Sequence, residues 1–165
     1  MADKITYITN LQYAQAYRVS ASPRDWMRFM DTASRMYRYS FNDQLLIYGQ
    51  NPNVTACATL DVWNKRFQRW VNKGSKGIAL LDETGGTKRL KYIFDIANTH
   101  PGYNGEEPYI WQARQEHLGM LLAHLTETYS LPDASSLISV LEQIAEQVAE
   151  DYTRSEEHTS ELQSR

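Results

Sequence analysis

The chain has 165 residues, a formal net charge of −3 and one cysteine. Its apolar and aromatic residues suffice for a core and no low-complexity tract interrupts them, which excludes a wholly disordered protein. A lone cysteine excludes an internal disulfide, and no apolar run reaches the length of a membrane span, so a cytoplasmic location with no membrane partner is expected.

The opening stretch MADKITYITN lacks the apolar core of a secretion signal, and residues 1–17 are read as a segment ahead of a folded core at 18–98. Ser22-Pro23 then starts a helix, with serine as cap and proline at the first helical position. Trp26, Phe29, Met30, Ala33, Met36 and Tyr37 share one face of it, and Arg24, Arg28, Asp31, Arg35 and Arg38 the opposite one. That stripe is either a solvated face with local ion pairs or a surface that tracks a polyanion.

A second helix is predicted from Phe41 to Gln50, closed by Gly49 and Pro52. VTACATLDVW reads as a short strand entering a helix capped by Thr59, with Trp63 on its apolar face, read as core in preference to a base-stacking platform. Strands follow at Arg69–Asn72, Gly77–Asp82 and Arg89–Ile96; in the last, Leu90, Tyr92, Phe94 and Ile96 alternate onto one face. Glu83–Thr87 is a hairpin turn and 99–108 a loop. Leu118, Leu121, Leu122, Leu125 and Tyr129 form an apolar helical stripe; Leu137, Leu141, Ile144 and Val148 form another, with Leu131-Pro132-Asp133 between them. The order predicts an α+β fold, a small antiparallel sheet of three to four strands flanked by helices, with 99–153 as a helical extension.

Charge is unevenly distributed. Arg18–Lys91 holds 13 lysines and arginines against 6 acidic residues, a surplus of seven positive charges, whereas Tyr92–Arg165 holds 3 against 13, a surplus of ten negative ones. A polyanion-facing surface is therefore expected on the first part only. Within it, RWVNKGSKGI (69–78) sets Lys73 and Lys76 in a glycine turn after Arg69 and Trp70. The turn matches neither the phosphate loop of nucleotide hydrolases nor the dinucleotide fingerprint, so no nucleotide cofactor is expected. By local chemistry it is a β-hairpin turn, whose free amides and lysines suit phosphate and whose neighbouring indole suits a base.

Metal and catalytic chemistry find little purchase. His117 and His124 lie two helical turns, ~10 Å, apart, too far for one ion without further ligands, so they and Glu116 are read as surface groups and no metal is expected. Cys57 has no partner histidine and reads as a small buried residue. No paired carboxylates and no serine or cysteine nucleophile arrangement stands out, and no catalytic site is expected in these residues.

The succession YSFNDQLLIYGQNPNVTACATLDVWNKRFQRWVNKGSKGIALL, Tyr39–Leu81, resembles the N-terminal single-stranded-DNA-binding domain of the ArdC-like antirestriction family. The matching positions are Tyr39-Ser40, Asn42, Leu45-Leu46-Ile47, Gln50, Pro52, Ala56 to Ala58, Trp63, Val71, Gly74 and Lys76-Gly77-Ile78. Asp43 stands where the family commonly has asparagine and Arg69-Trp70 where it commonly has Gly-Arg; the HExxH of its protease module is absent. LKYIFDIANTH and PYIWQARQEH look like the start of very large conjugative-element proteins of gut Firmicutes, in which helicase-like or methylase-like modules follow.

The resemblance implies sequence-tolerant binding of single-stranded DNA by a mobile-element protein, shielding incoming DNA from restriction. Lys73 and Lys76, with Arg69, Arg35 and Arg38, are the expected phosphate contacts, and Trp70 and Tyr92 the stacking surfaces. Asn42 and Gln50 either bond to bases or cap local backbone. The competing expectation is an interaction module that docks downstream domains of the same polypeptide through the acidic helices at 112–150.

The end of the chain is read differently. RSEEHTSELQS, Arg154–Ser164, is what a common short-read sequencing adapter encodes in frame, so 154–165 is expected to be a non-native tail on a protein that continues past residue 153. His158 accordingly receives no role.

Overall fold

A computed structural model describes residues 2–82, 84, 86–110, 112, 114–132 and 135–163, with side chains from Asp3 to Arg154. The fold is α+β, as the pattern of elements predicts: six helices accompany a three-stranded and a two-stranded antiparallel sheet among the described residues. Two compact units divide at Ile110 and Trp111, twelve residues later than the boundary expected after residue 98.

In the first unit, the opening segment is itself a helix, α1 (Ala2–Ser20), packed on the two helices and one strand that follow. Its Ile8 and Val19 are buried, while Tyr7, Tyr13 and Tyr17 stay exposed. Exposed tyrosines blur the apolar stripe on which helix recognition rests. α2 (Pro23–Arg35) starts where Ser22 accepts from the amide of Asp25, and α3 (Phe41–Gln50) where Ser40 accepts from that of Asp43. Phe29 and Ala33 of α2 join Leu45 of α3 and Val19 in one buried cluster; Leu46, Ile47, Met36 and Ile8 join the sheet residues Ile78, Leu80 and Ile93 in another. Each large apolar side chain so buried contributes about 1.5–3 kcal/mol before chain entropy is counted.

β1 (Cys57–Thr59) leads into α4 (Leu60–Arg66), capped by Thr59 through the Val62 amide. Trp63 is 1% exposed and donates from Nε1 to the Phe94 carbonyl at 2.8 Å, a core residue as expected. β2 (Arg69–Val71), β3 (Ile78–Asp82) and β4 (Arg89–Asp95) are the three expected strands, but they do not make one sheet. β4 sits between β1 and β3, whereas β2 pairs with β5 (Thr99–Pro101), inside the stretch read as a loop. The turn between β2 and β3 is therefore not a hairpin turn; it connects two sheets. β3 and β4 do pair as a hairpin, Asp82 opposite Arg89, although Glu83 and Gly85 of its expected turn lie outside the described residues.

Two buried polar side chains fasten this arrangement. Asp95, 4% exposed, accepts from the Thr55 and Ala56 amides at 2.9 Å each, closing the entry to β1. Arg69 ties β2 to Thr99 and to Glu107, and the Gly102 and Glu106 amides donate to Gln68 and Phe67. These bonds place residues 99–107 in the first unit and not in a separate extension.

In the second unit α5 (Leu118–Tyr129) packs on α6 (Leu137–Gln163), which runs on through the segment read as a tail. The predicted stripe of α6 divides: Leu137 and Ile144 are half-buried, Leu141 and Val148 exposed. Asp133, part of the expected break between the helices, lies outside the described residues.

Candidate functional site

Asn72 through Gly77 connect the two sheets of the first unit, and their backbone is tied down at one point. The Asn72 amide donates to the Asn98 carbonyl at 2.8 Å, the Ser75 amide donates to the Asn72 carbonyl at 3.1 Å, and the Ser75 hydroxyl reaches the Asn98 carbonyl at 3.5 Å. Gly74 sits at φ +87°, a conformation that L side chains rarely adopt, and is open to solvent around its α-carbon. Lys73 and Lys76 flank it, both exposed. Neither lysine has an ion-pair or hydrogen-bond partner among the described residues, so two positive charges stand uncompensated on an anchored turn.

Aromatic rings bound the turn on either side. On the two-stranded sheet Trp70, 50% exposed, lies opposite His100. Its indole Nε1 comes within 2.9 Å of where a Cβ on Gly102 would stand, so only glycine lets the ring lie across that strand end. His100 Nδ1 is 2.6 Å from Asn72 Oδ1 and thus touches the start of the turn. On the three-stranded sheet a Cβ on Gly77 would stand 3.0 Å from the Phe94 ring and 3.3 Å from the Tyr92 β-carbon, so the turn ends against these two side chains. Tyr92 is 45% exposed, and its cross-strand neighbour is Ala79 as that of Phe94 is Ala58. Small neighbours leave the rings uncovered. A phosphate-sized anion could approach the lysines with a flat ring available on both sides.

Of the nine residues expected in a site, Lys73 and Lys76 lie on this turn, Trp70 on the strand that enters it and Tyr92 against its last residue, Gly77. Arg69 does not join them, despite preceding Trp70. Its side chain is 6% exposed, with Nε donating to Thr99 Oγ1 at 2.9 Å and Nη1 to Glu107 Oε1 at 2.8 Å. Strand alternation turns it inward where Trp70 faces outward. Gln50 is likewise spent on structure: its Nε2 donates to the Leu46 and Ala79 carbonyls and its Oε1 accepts from the Ala79 amide, closing the free edge of β3.

Arg35 donates to the carbonyls of Val54 and Pro52 and pairs with Asp31, holding the chain after α3. Arg38 is exposed and lies over the Tyr37 ring at 5.6 Å. Arg24 and Arg28 are exposed and unpaired among the described residues. Asn42 lines a cleft of about 330 Å³ with Ser40, Asp43, Tyr13 and Lys88. Ser40 already accepts from the Asp43 amide, and the Asp43 carboxylate stands in the first turn of α3, which leaves that end poorly suited to a further anion. The expected arginine stripe therefore splits into a structural half and a free half.

His100 and Phe94 belong to the surface as well. Phe94 was visible as part of the alternation of β4, but His100 had no local signal, because its place depends on the β2–β5 pairing.

Nucleophile chemistry is disfavoured at Cys57, whose thiol is pushed up to about 12, first by burial and then by the Asp95 carboxylate, and so stays protonated at neutral pH. Burial, with Cys57 and Asp43 nearby, raises the Tyr39 phenol too; that hydroxyl donates to the Cys57 carbonyl at 2.7 Å. His117 accepts from the Arg114 amide, and His124 is exposed on α5. Among the described residues no three histidine, cysteine or acidic side chains converge as a metal site, and no helix is long and apolar enough to cross a membrane.

Fold and site together define an α+β protein that carries free lysines between exposed aromatic rings. No protein-family model, no curated protein and no solved structure matches the chain.

Proposed function

We propose that the first unit binds single-stranded DNA with little sequence preference, through Lys73, Lys76, Trp70 and Tyr92. The observation that carries this reading is the anchored turn itself, two uncompensated lysines held between exposed rings on two different sheets. Lysine charges would displace counterions from a strand's phosphates, while the rings would stack on unpaired bases, which a duplex does not offer. His100, bonded to Asn72 through Nδ1, would present its Nε2 edge to the strand beside the turn.

Arg24 and Arg28 on α2 are further free cations, among the described residues, that would suit a longer path along the strand. The role is binding and not catalysis. From the ArdC-like resemblance comes the biological setting proposed with it, a mobile-element protein that shields DNA entering a cell as one strand.

Fluorescence anisotropy of the chain with a labelled single strand and the matching duplex, across a salt series, tests the proposal. Single-strand preference with affinity falling steeply in salt supports it. Weak or equal binding to both, by protein shown to be folded, overturns it.

A further inference from the structure

We propose that α6 docks a basic amphipathic helix of a partner protein along an exposed apolar seam, independently of the nucleic-acid reading. Ile138, Leu141, Val148 and Tyr152 are 71%, 50%, 57% and 64% exposed, and with Ala145 they recur at alternating spacings of three and four residues. That is the seam of a coiled coil, a line of knobs that a facing helix would receive. The buried Val140 and half-buried Ile144 belong to an adjoining stripe of the same helix, so the seam is additional to the α5–α6 packing.

Lack of core in the second unit points the same way. Of sixteen buried apolar residues among those described, only Leu131 and Val140 lie beyond Ile110. Two helices that bury so little depend on a further element for their stability. The seam's length and spacing fit a third helix.

Charge selects the kind of helix. Glu142 and Asp151 flank the seam on its two sides, Asp151 paired with Arg154 at 3.4 Å, while Glu146 and Glu150 add negative charge on the outer face, and no lysine or arginine occurs from Gln115 to Thr153. A second copy of α6 would set these carboxylates against their equals, and an anionic lipid surface would repel them too. A partner helix flanked by lysine or arginine meets both the apolar knobs and the acidic rim.

The full chain is titrated with a synthetic peptide of three heptads, about 21 residues, with leucine at its seam and lysine at its flanks, and separately with the same peptide flanked by glutamate. Hydrogen exchange of the 137–152 amides is the readout. At about ten times its dissociation constant the lysine peptide is expected to slow exchange about tenfold and the glutamate peptide to leave it unchanged. Leu141→Glu with Val148→Glu is expected to abolish the protection. Because that variant could loosen the helix pair, Glu142→Lys with Asp151→Lys provides a second test, expected to reverse the preference between peptides. No protection by either peptide, equal protection by both, or a dimer of the chain alone that Leu141→Glu dissociates would each overturn the proposal.

Discussion

The guanidinium of Arg69 lies 2.8 Å from the carboxylate of Glu107, with the arginine 6% exposed and the glutamate 77% exposed. The pair is thus a buried donor gripping a solvated acceptor, and most of its worth lies in keeping the arginine hydrogen-bonded. Arg69→Ala is expected to cost about 1.5–3 kcal/mol, the range for hydrogen bonds to charged groups, and Glu107→Gln under about 1 kcal/mol because the amide oxygen still accepts and water already screens the exposed charge. Urea unfolding of both variants measures the difference. Equal costs would contradict the asymmetry.

Lys73→Ala and Lys76→Ala are expected to leave the unfolding midpoint unchanged, since neither side chain has a structural partner among the described residues. Each should lower the slope of log affinity against log salt for a single strand by about 0.7, the value for one lost phosphate contact. An unchanged slope in the double variant would remove the turn from the proposed interface.

Trp70→Ala is expected to weaken single-strand binding by about 1–3 kcal/mol, the range for one stacked base, with little change in the salt slope. The two variants thus separate charge from stacking. Titration of both at one salt concentration, followed by the salt series, resolves them; a steep slope change on removing Trp70 would mean the turn had moved.

Glycine substitutions probe the same place by two different costs. Gly102→Ala would set a Cβ 2.9 Å from the Trp70 indole and 3.0 Å from the Gln68 carbonyl, so about 1–3 kcal/mol of overpacking is expected together with displacement of the ring. Gly74→Ala meets no atom within 4 Å, and its expected cost of about 1–2 kcal/mol arises from φ +87° alone. Comparing tryptophan emission in the two variants checks this, because only the first is expected to alter the Trp70 environment.

Alkaline stability should report Cys57. Its folded thiol is raised from 9.0 to about 12, so the folded state holds its proton where the unfolded chain releases it. The contribution is complete below about pH 9 and is lost as pH rises toward 12. Chemical denaturation between pH 8 and 11 (about one unit below and two above the unfolded titration) is expected to show a decline that Cys57→Ala reduces; an identical decline in the variant would assign the whole effect to other groups, such as Tyr39.

Local chemistry was enough for some of these elements. Ser22, Ser40 and Thr59 each bond an amide three residues ahead, so the starts of α2, α3 and α4 could be read from a few adjacent letters. The alternation of β4 and the place of Trp70 beside a lysine turn were legible for the same reason, whereas Tyr92 reaches that turn only through the pairing of β3 with β4. Sheet membership was not. Backbone donors and acceptors are alike in every strand, and β2 finds its partner about thirty residues on, at β5, instead of joining β3 across the turn that separates them.

That one non-local choice makes the Lys73–Lys76 turn a bridge between sheets, brings His100 to its edge and turns Arg69 inward onto Thr99. Similarly, α1 is a helix because packing on α2, α3 and β3 compensates for a stripe interrupted by exposed tyrosines. The sequence by itself determined the class of fold, most helix starts and the chemistry on offer. Which cations remain free for a ligand and which are consumed as fasteners was decided by tertiary structure, since burial and long-range pairing depend on residues distant in the chain.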